Sequence, residues 1–252
     1  MDDPGPKAVV LDLFDTLVKW SPQRLPQMEI RGKRVHTTIP WLVPDLERGL
    51  GATFRLDRFI EAYTAVLNEI EAERAARGVE ITCHERFRRT VGRLDGGARE
   101  AEALAERLTR RHMAAVRSVT AAPPEYAAVV SRLAGRFRMG ILSNFDDART
   151  GREIIADTGT ESYFEVIIIS AEAGVRKPHP EIFRQLLDKL ALSPREVLFV
   201  GDTAREDVAG ARACGIPVVW LSENKGEFPA EVAAPDYAIR NLTELPSLLG
   251  LG

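Results

Sequence analysis

The sequence predicts an α/β protein: a doubly wound parallel sheet interrupted by an inserted, mostly helical domain. Two patterns carry this expectation. Short apolar runs at residues 8–13, 139–142, 166–170, 197–200, 218–221 and 237–239 read as strands, and the clearest are too continuously apolar for half-exposed ones. Residues 21–120, lying between the first run and the rest, show apolar residues at helical spacing instead. The domain boundaries follow: residues 1–20 with 121–252 for the α/β core, and 21–120 for the insertion.

In chain order, the first strand is apolar except for Asp12 near its end. The segment from Met28 to His36 reads as a small β-ribbon turning at Gly32-Lys33. Phe59, Ile60, Tyr63, Leu67 and Ile70 mark a helix that stops near Gly78. Phe87, Val91 and Leu94 mark a second, ended by Gly96-Gly97. Leu104, Leu108 and Ala115 mark a third, with Glu102, Glu106 and Arg110 four apart on its outer face. The insertion's arginines (Arg86, Arg88, Arg89, Arg93, Arg107, Arg110 and Arg111) read as solvated faces, whereas Arg31, Lys33 and Arg34 would reach an anionic substrate if the ribbon overhangs the site. Beyond the insertion, Pro123-Pro124 opens a helix with Tyr126, Val129, Val130 and Leu133 on one face, and Phe183, Leu186, Leu187 and Leu190 mark another.

Bulk composition excludes several function classes. A formal net charge of −3 lacks the basic excess of a nucleic-acid binder. No apolar run approaches the roughly 20 residues that span a bilayer, and the acidic, helix-breaking start Met1-Asp2-Asp3-Pro4-Gly5-Pro6 is not a signal peptide. Cys83 and Cys214 match no metal-ligand spacing, so a reduced, cytoplasmic protein is expected.

In open parallel sheets, ligands gather beyond the carboxyl ends of the strands, where strand order switches. Asp12-Leu13-Phe14-Asp15-Thr16-Leu17 ends the first strand and Ser143-Asn144 the next; Lys177 follows in Gly174-Val175-Arg176-Lys177-Pro178, and Gly201-Asp202 ends a later strand, with Asp207 beyond it. Asp12 in a buried strand is costly unless it is paired or metal-bound. Ser143 also suits a turn, and Asp202 and Asp207 also suit a helix cap.

In this order, Asp12 with Thr16-Leu17, Ile141-Leu142-Ser143-Asn144, Lys177-Pro178 and Gly201-Asp202…Asp207 resemble the four motifs of the haloacid dehalogenase superfamily, and the resemblance spans nearly the whole chain. Ser143-Asn144-Phe145-Asp146, Ser170-Ala171-Glu172-Ala173-Gly174 and Lys177-Pro178-His179-Pro180-Glu181-Ile182-Phe183 are similar to the branch named after rhythmically expressed gene 2. The resemblance implies a Rossmann-like core, a helical cap at 21–120 and hydrolysis of a small phosphorylated metabolite. Asp12 would be the nucleophile, forming an aspartyl-phosphate. Lys177, Ser143 and Asn144 would bind the phosphate. Asp12, the Phe14 backbone carbonyl and Asp202 would hold Mg²⁺, with Asp207 binding it directly or through water.

One position departs from the pattern. Most phosphatases of this superfamily carry a second aspartate two residues after the nucleophile, to protonate the leaving oxygen; here that residue is Phe14. Asp15, next along, should point the other way in extended backbone. A missing acid–base group costs about 10²–10⁴-fold in rate and spares phosphate binding. An aromatic residue at this position also occurs in the superfamily's metal-independent dehalogenases. Three readings therefore stand: a Mg²⁺-dependent phosphatase without the usual acid, a 2-haloacid dehalogenase, or a non-catalytic module that binds a phosphorylated ligand or a partner. Two aspartates at metal-binding spacing favour the first.

Overall fold

The structure, a computed structural model, describes residues 5–30, 32–94, 98–223 and 225–251. The chain divides into two compact units, Met1–Lys19 with Ala121–Gly252, and Trp20–Thr120. The residues before Gly5, Arg31 and the expected Gly96-Gly97 stop lie outside the described residues. Among the described residues, no helix is long and apolar enough to cross a membrane.

The first unit holds a six-stranded sheet of β1 (Ala8–Leu11), β2 (Arg138–Ser143), β3 (Phe164–Ile169), β4 (Val197–Gly201), β5 (Val218–Leu221) and β6 (Tyr237–Ile239). Their spatial order is β6-β5-β4-β1-β2-β3, with all neighbours parallel. β1 lies inside the sheet, Ala8 opposite both Arg138 and Val197, and Leu11 opposite both Ile141 and Val200. Strand order switches beside β1: later strands first build outward through β2 and β3, then on the other side through β4, β5 and β6. That switch positions the site.

Continuous apolarity along β1 is explained by its two faces. Val9 and Leu11 join one core with Tyr126, Val129, Val130 and Leu133 of α1 (Tyr126–Ala134) and with Ile154 and Ile155 of α2 (Ala148–Asp157). Ala8 and Val10 join the other with Ile182, Phe183, Leu186 and Leu190 of α3 (Pro180–Leu190). Those four α3 side chains are fully buried, each contributing about 1.5–3 kcal/mol. α1 begins at Tyr126 rather than at the expected Pro123-Pro124, because Tyr126 N–H donates to the Pro123 carbonyl in a turn (3.0 Å).

The second unit carries helices Ile39–Leu50, Leu56–Arg77, Cys83–Gly92 and Ala98–Ser118. Gly78 ends the second at φ +64°, a left-handed cap suited to glycine, with its N–H on the Arg74 carbonyl (2.8 Å). Thr82 opens the third by accepting from Glu85 N–H (3.2 Å). Leu94, expected within that helix, lies beyond its end. The helix Ile39–Leu50 holds Pro44 inside it, a residue that reads as a breaker in sequence. The ribbon pairs Gln27–Ile30 with Lys33–His36 antiparallel. Gly32 takes φ +75° as a turn glycine, but Lys33, expected in the turn with it, already pairs with Ile30 in the ladder.

Arg86 corrects the expectation of a solvated face: it is 8% exposed. Its guanidinium donates to Cys83 Sγ (3.0 Å) and His112 Nε2 (3.2 Å), and it lies over the rings of Tyr63 and Phe87. Arginine only donates, so Nε2 accepts, and the His112 proton sits on Nδ1, donating to Thr38 Oγ1 (2.6 Å). Helical spacing alone cannot foresee such a partner, because His112 is far along the chain.

Burial, with the Arg86 charge beside it, pushes His112 down to about 3 from its ordinary 6.5. Between those values the unfolded chain takes up a proton that the folded chain refuses. The stability tied to neutral His112 is therefore complete above pH 6.5 and is lost as pH falls towards 3, at up to about 1.4 kcal/mol per pH unit. Urea unfolding across this window should be more pH-dependent in the wild type than in His112→Gln; equal slopes would show that His112 does not carry the effect.

Candidate active site

The carboxyl ends of β1, β2 and β4 bring together residues far apart in sequence. Asp12 follows β1, with its N–H on the Val200 carbonyl (2.8 Å), and is 6% exposed. Lys177 is 1% exposed, and its ammonium has three partners: Asp12 Oδ1 at 2.6 Å, Asp207 Oδ1 at 2.7 Å and the Leu142 carbonyl at 2.9 Å. All three of its donors are thereby engaged.

Lys177 is held in place from behind. Its backbone N–H donates to Asn144 Oδ1 (2.8 Å), and Asn144 Nδ2 donates back to the Lys177 carbonyl (2.9 Å) and to Glu206 (3.0 Å). Arg176 also donates to Glu206 (3.2 Å). Asn144, expected among the anion-binding groups, thus has both amide hydrogens committed to this clamp.

Asp207 lies in a π-helical turn, Ala204–Ala209, and its Oδ2 accepts from Thr203 N–H (2.9 Å). The turn folds its carboxylate against Gly201, where an added Cβ would stand 2.4 Å from Asp207 Cγ. Glycine is therefore required there for space. Asp202 accepts from the Thr203 hydroxyl at Oδ1 (3.2 Å) and meets Lys225 Nζ at Oδ2 (2.5 Å), while its carbonyl accepts from Trp220 Nε1 (2.9 Å).

Asp12, Asp202 and Asp207 present oxygens that all lie within 4.8 Å of one another, and all three residues are buried. Burial pushes Asp12 up to about 8 against the pull of Lys177, and it raises Asp207 likewise. Burial alone would lower Lys177; Asp12 and Asp207 outweigh it and hold the ammonium above its ordinary value. Three carboxyl groups face two ammonium groups, so ionising all three would leave negative charge uncompensated. A hard divalent cation fits an all-oxygen cluster of this kind.

Two buried hydroxyls adjoin this motif set. Ser143 at the end of β2 and Thr16 beyond Asp12 are both inaccessible, and neither Oγ has a hydrogen-bond partner among the described residues. Such groups carry a desolvation penalty of about 1–3 kcal/mol unless a ligand satisfies them. The Phe14 side chain presents no polar group: its ring packs on Phe145 with centroids 4.8 Å apart. Asp15, expected in extended backbone, instead turns into the left-handed region at φ +57°, and its carbonyl accepts from Lys19 (3.0 Å).

Lys225 and the Asn144–Lys177 clamp were not foreseen. Lys225 follows β5 in the chain, and every strand end on that edge of the sheet is a candidate position; this was the available signal. The clamp had none, because it depends on a backbone-to-side-chain fit.

The model of the haloacid dehalogenase-like hydrolases matches residues 6–215. A pyrimidine 5′-nucleotidase of Escherichia coli is 31% identical over 160 residues, 63% of this chain and 70% of that protein. A phosphoserine phosphatase of Thermus thermophilus is 27% identical over 252 residues, covering 95% of this chain and 97% of the relative. The crystal structure of a 2-haloacid dehalogenase from Pseudomonas syringae shares the fold with a TM-score of 0.71 at 23% identity, over 98% of this chain and 99% of that one.

Removing the shared ammonium should expose how the cluster is balanced. Lys177→Met is expected to cost about 3–5 kcal/mol in urea unfolding at neutral pH, since two buried carboxylates lose their partner. A loss below about 1 kcal/mol would show that the carboxylates do not depend on it.

Proposed function

This chain belongs to the haloacid dehalogenase-like hydrolases, and we propose that it is a Mg²⁺-dependent phosphate-monoester hydrolase with Asp12 as nucleophile. The observation that carries this reading is the convergence of Asp12, Asp202 and Asp207 from the ends of β1 and β4 and the turn beyond β4 into one buried all-carboxylate cluster, which a metal-free site would not need. Relatives named as phosphatases, among them the phosphoserine phosphatase of Thermus thermophilus, support it.

An Asp12 oxygen attacks phosphorus as the bond to the leaving oxygen breaks, and the electron pair departs with the leaving group. Water then attacks phosphorus in the aspartyl-phosphate, releasing inorganic phosphate and restoring Asp12. Lys177 offsets the charge on nucleophile and phosphoryl group, and the unpartnered Ser143 hydroxyl donates to a phosphoryl oxygen. Asn144 acts through its hold on the Lys177 backbone. Mg²⁺, held by Asp12, the Phe14 carbonyl, Asp202 and Asp207, would reduce the repulsion between carboxylate and phosphate.

In this reading residues 1–20 and 121–252 form the catalytic domain, and 21–120 a helical cap that contributes substrate contacts. The substrate is a small phosphorylated metabolite. Two free cysteines, Cys83 and Cys214, fit the reducing cytoplasm. Phe14 supplies no proton, so leaving groups stable as anions, such as aryl or acyl phosphates, are handled best. Phe14 also supports a second reading, hydrolysis of a 2-haloacid by carboxylate attack without metal. Halide release from a 2-haloacid in the presence of chelator would establish that alternative.

Turnover of an aryl phosphate is expected with Mg²⁺ and lost on chelation or in Asp12→Asn; activity no higher than in that variant sinks the proposal. Phe14→Asp should raise turnover of alkyl phosphates by up to about 10²-fold and of aryl phosphates much less. Equal gains on both substrates would mean that no proton donor is missing.

A further inference from the structure

Lys225 has no part in the reaction as derived above, yet it sits on one of the three clustered carboxylates. Its Nζ lies 2.5 Å from Asp202 Oδ2. Its side chain is 40% exposed against 8% for Asp202, so one partner is wet and the other dry. The lysine belongs to the loop after β5 and is tethered locally by its N–H on the Ser222 carbonyl (3.0 Å).

The two lysines of the cluster differ in kind. Lys177 serves Asp12 and Asp207, is buried, spends its third donor on the Leu142 carbonyl and has its backbone clamped by Asn144. It has no route to water without dismantling the strand ends. Lys225 pairs directly with Asp202 and has solvent beside it. Its long stem can carry the ammonium back into water at little cost.

A divalent cation at this cluster needs an oxygen from Asp202, and Oδ1 already accepts from the Thr203 hydroxyl. Oδ2 carries the Lys225 ammonium, so a cation on either oxygen of Asp202 shares one small carboxylate with a second positive charge. The two cations repel each other, and the ammonium with solvent beside it is the one free to leave.

We propose that Lys225 is a built-in competitor for the divalent-cation site: it neutralises Asp202 in the cation-free protein and is displaced into solvent when the cation binds. This rests on the reading of Asp12, Asp202 and Asp207 as a cation site. The device keeps a buried acidic cluster tolerable without metal and weakens metal binding by the strength of the ion pair that must first break.

Calorimetric titration with Mg²⁺ and thermal melting test it, using the full-length wild type, Lys225→Met, Lys225→Arg and Asp202→Asn. Lys225→Met is expected to bind Mg²⁺ about fivefold more tightly than the wild type, the strength of a partly exposed ion pair. It should also melt lower than the wild type in chelator, the gap closing at saturating Mg²⁺. Lys225→Arg, which keeps the charge, should behave like the wild type, and adding Lys225→Met to Asp202→Asn should change nothing further. Equal or weaker Mg²⁺ binding by Lys225→Met overturns this inference and leaves the cation site standing. Mg²⁺ binding to neither protein overturns the cation site itself, and this inference with it.

Discussion

The ammonium of Lys177, shared between Asp12 and Asp207, is the contact on which the centre of this fold depends. Two carboxylates buried side by side repel each other, and each alone would be driven towards its neutral form. One cation between them changes the balance, because it attracts both and still satisfies its third donor on a strand carbonyl. The three groups arrive from the end of β1, from the loop before α3 and from the turn after β4. Their contact ties together the strand ends that flank the switch in strand order, so the electrostatic centre coincides with the topological one.

The surrounding structure serves that contact through backbone rather than side-chain bulk. Asn144 reads both backbone groups of Lys177, which holds the loop without spending another charge. Gly201 leaves the space that the Asp207 carboxylate occupies, and the π-helical turn brings Asp207 back to meet the Thr203 N–H. None of these features is apolar, yet each is bounded by β-strands buried on both faces. A rigid, dry frame strengthens every charge interaction inside it.

Phe14 gives the cluster its asymmetry. The cluster gathers carboxylates and ammonium groups, whereas the side chain two residues after Asp12 is a ring packed on Phe145, which offers neither proton nor lone pair. Charge can be stabilised here more readily than a proton can be delivered. The second unit follows the same economy of polar burial: Arg86, His112, Thr38 and Cys83 meet among aromatic rings, and the order of donors dictates which nitrogen of His112 is protonated.

The parallel strands, the interruption by helices and the candidate set Asp12, Ser143, Lys177, Asp202 and Asp207 are legible before any coordinates. For the strands, Asp12, Ser143 and Asp202 the cause is local: uninterrupted apolar runs mean strands covered on both faces, and a polar residue ending such a run is expensive unless it is used; Lys177 and Asp207 end no run, and their roles came with the family resemblance. Tertiary structure alone decided what depends on distance across the chain. Asn144 looked like an anion-binding residue and became a clamp on Lys177, because the two loops happen to abut. Arg86 looked solvated until His112, on another helix, took its hydrogen bond. Lys225 offers the sequence only its place after a strand end, with no periodicity to single it out; the closing of β5 onto β4 set its ammonium on Asp202. Patterning reports which residues are buried, and the fold decides which of them meet.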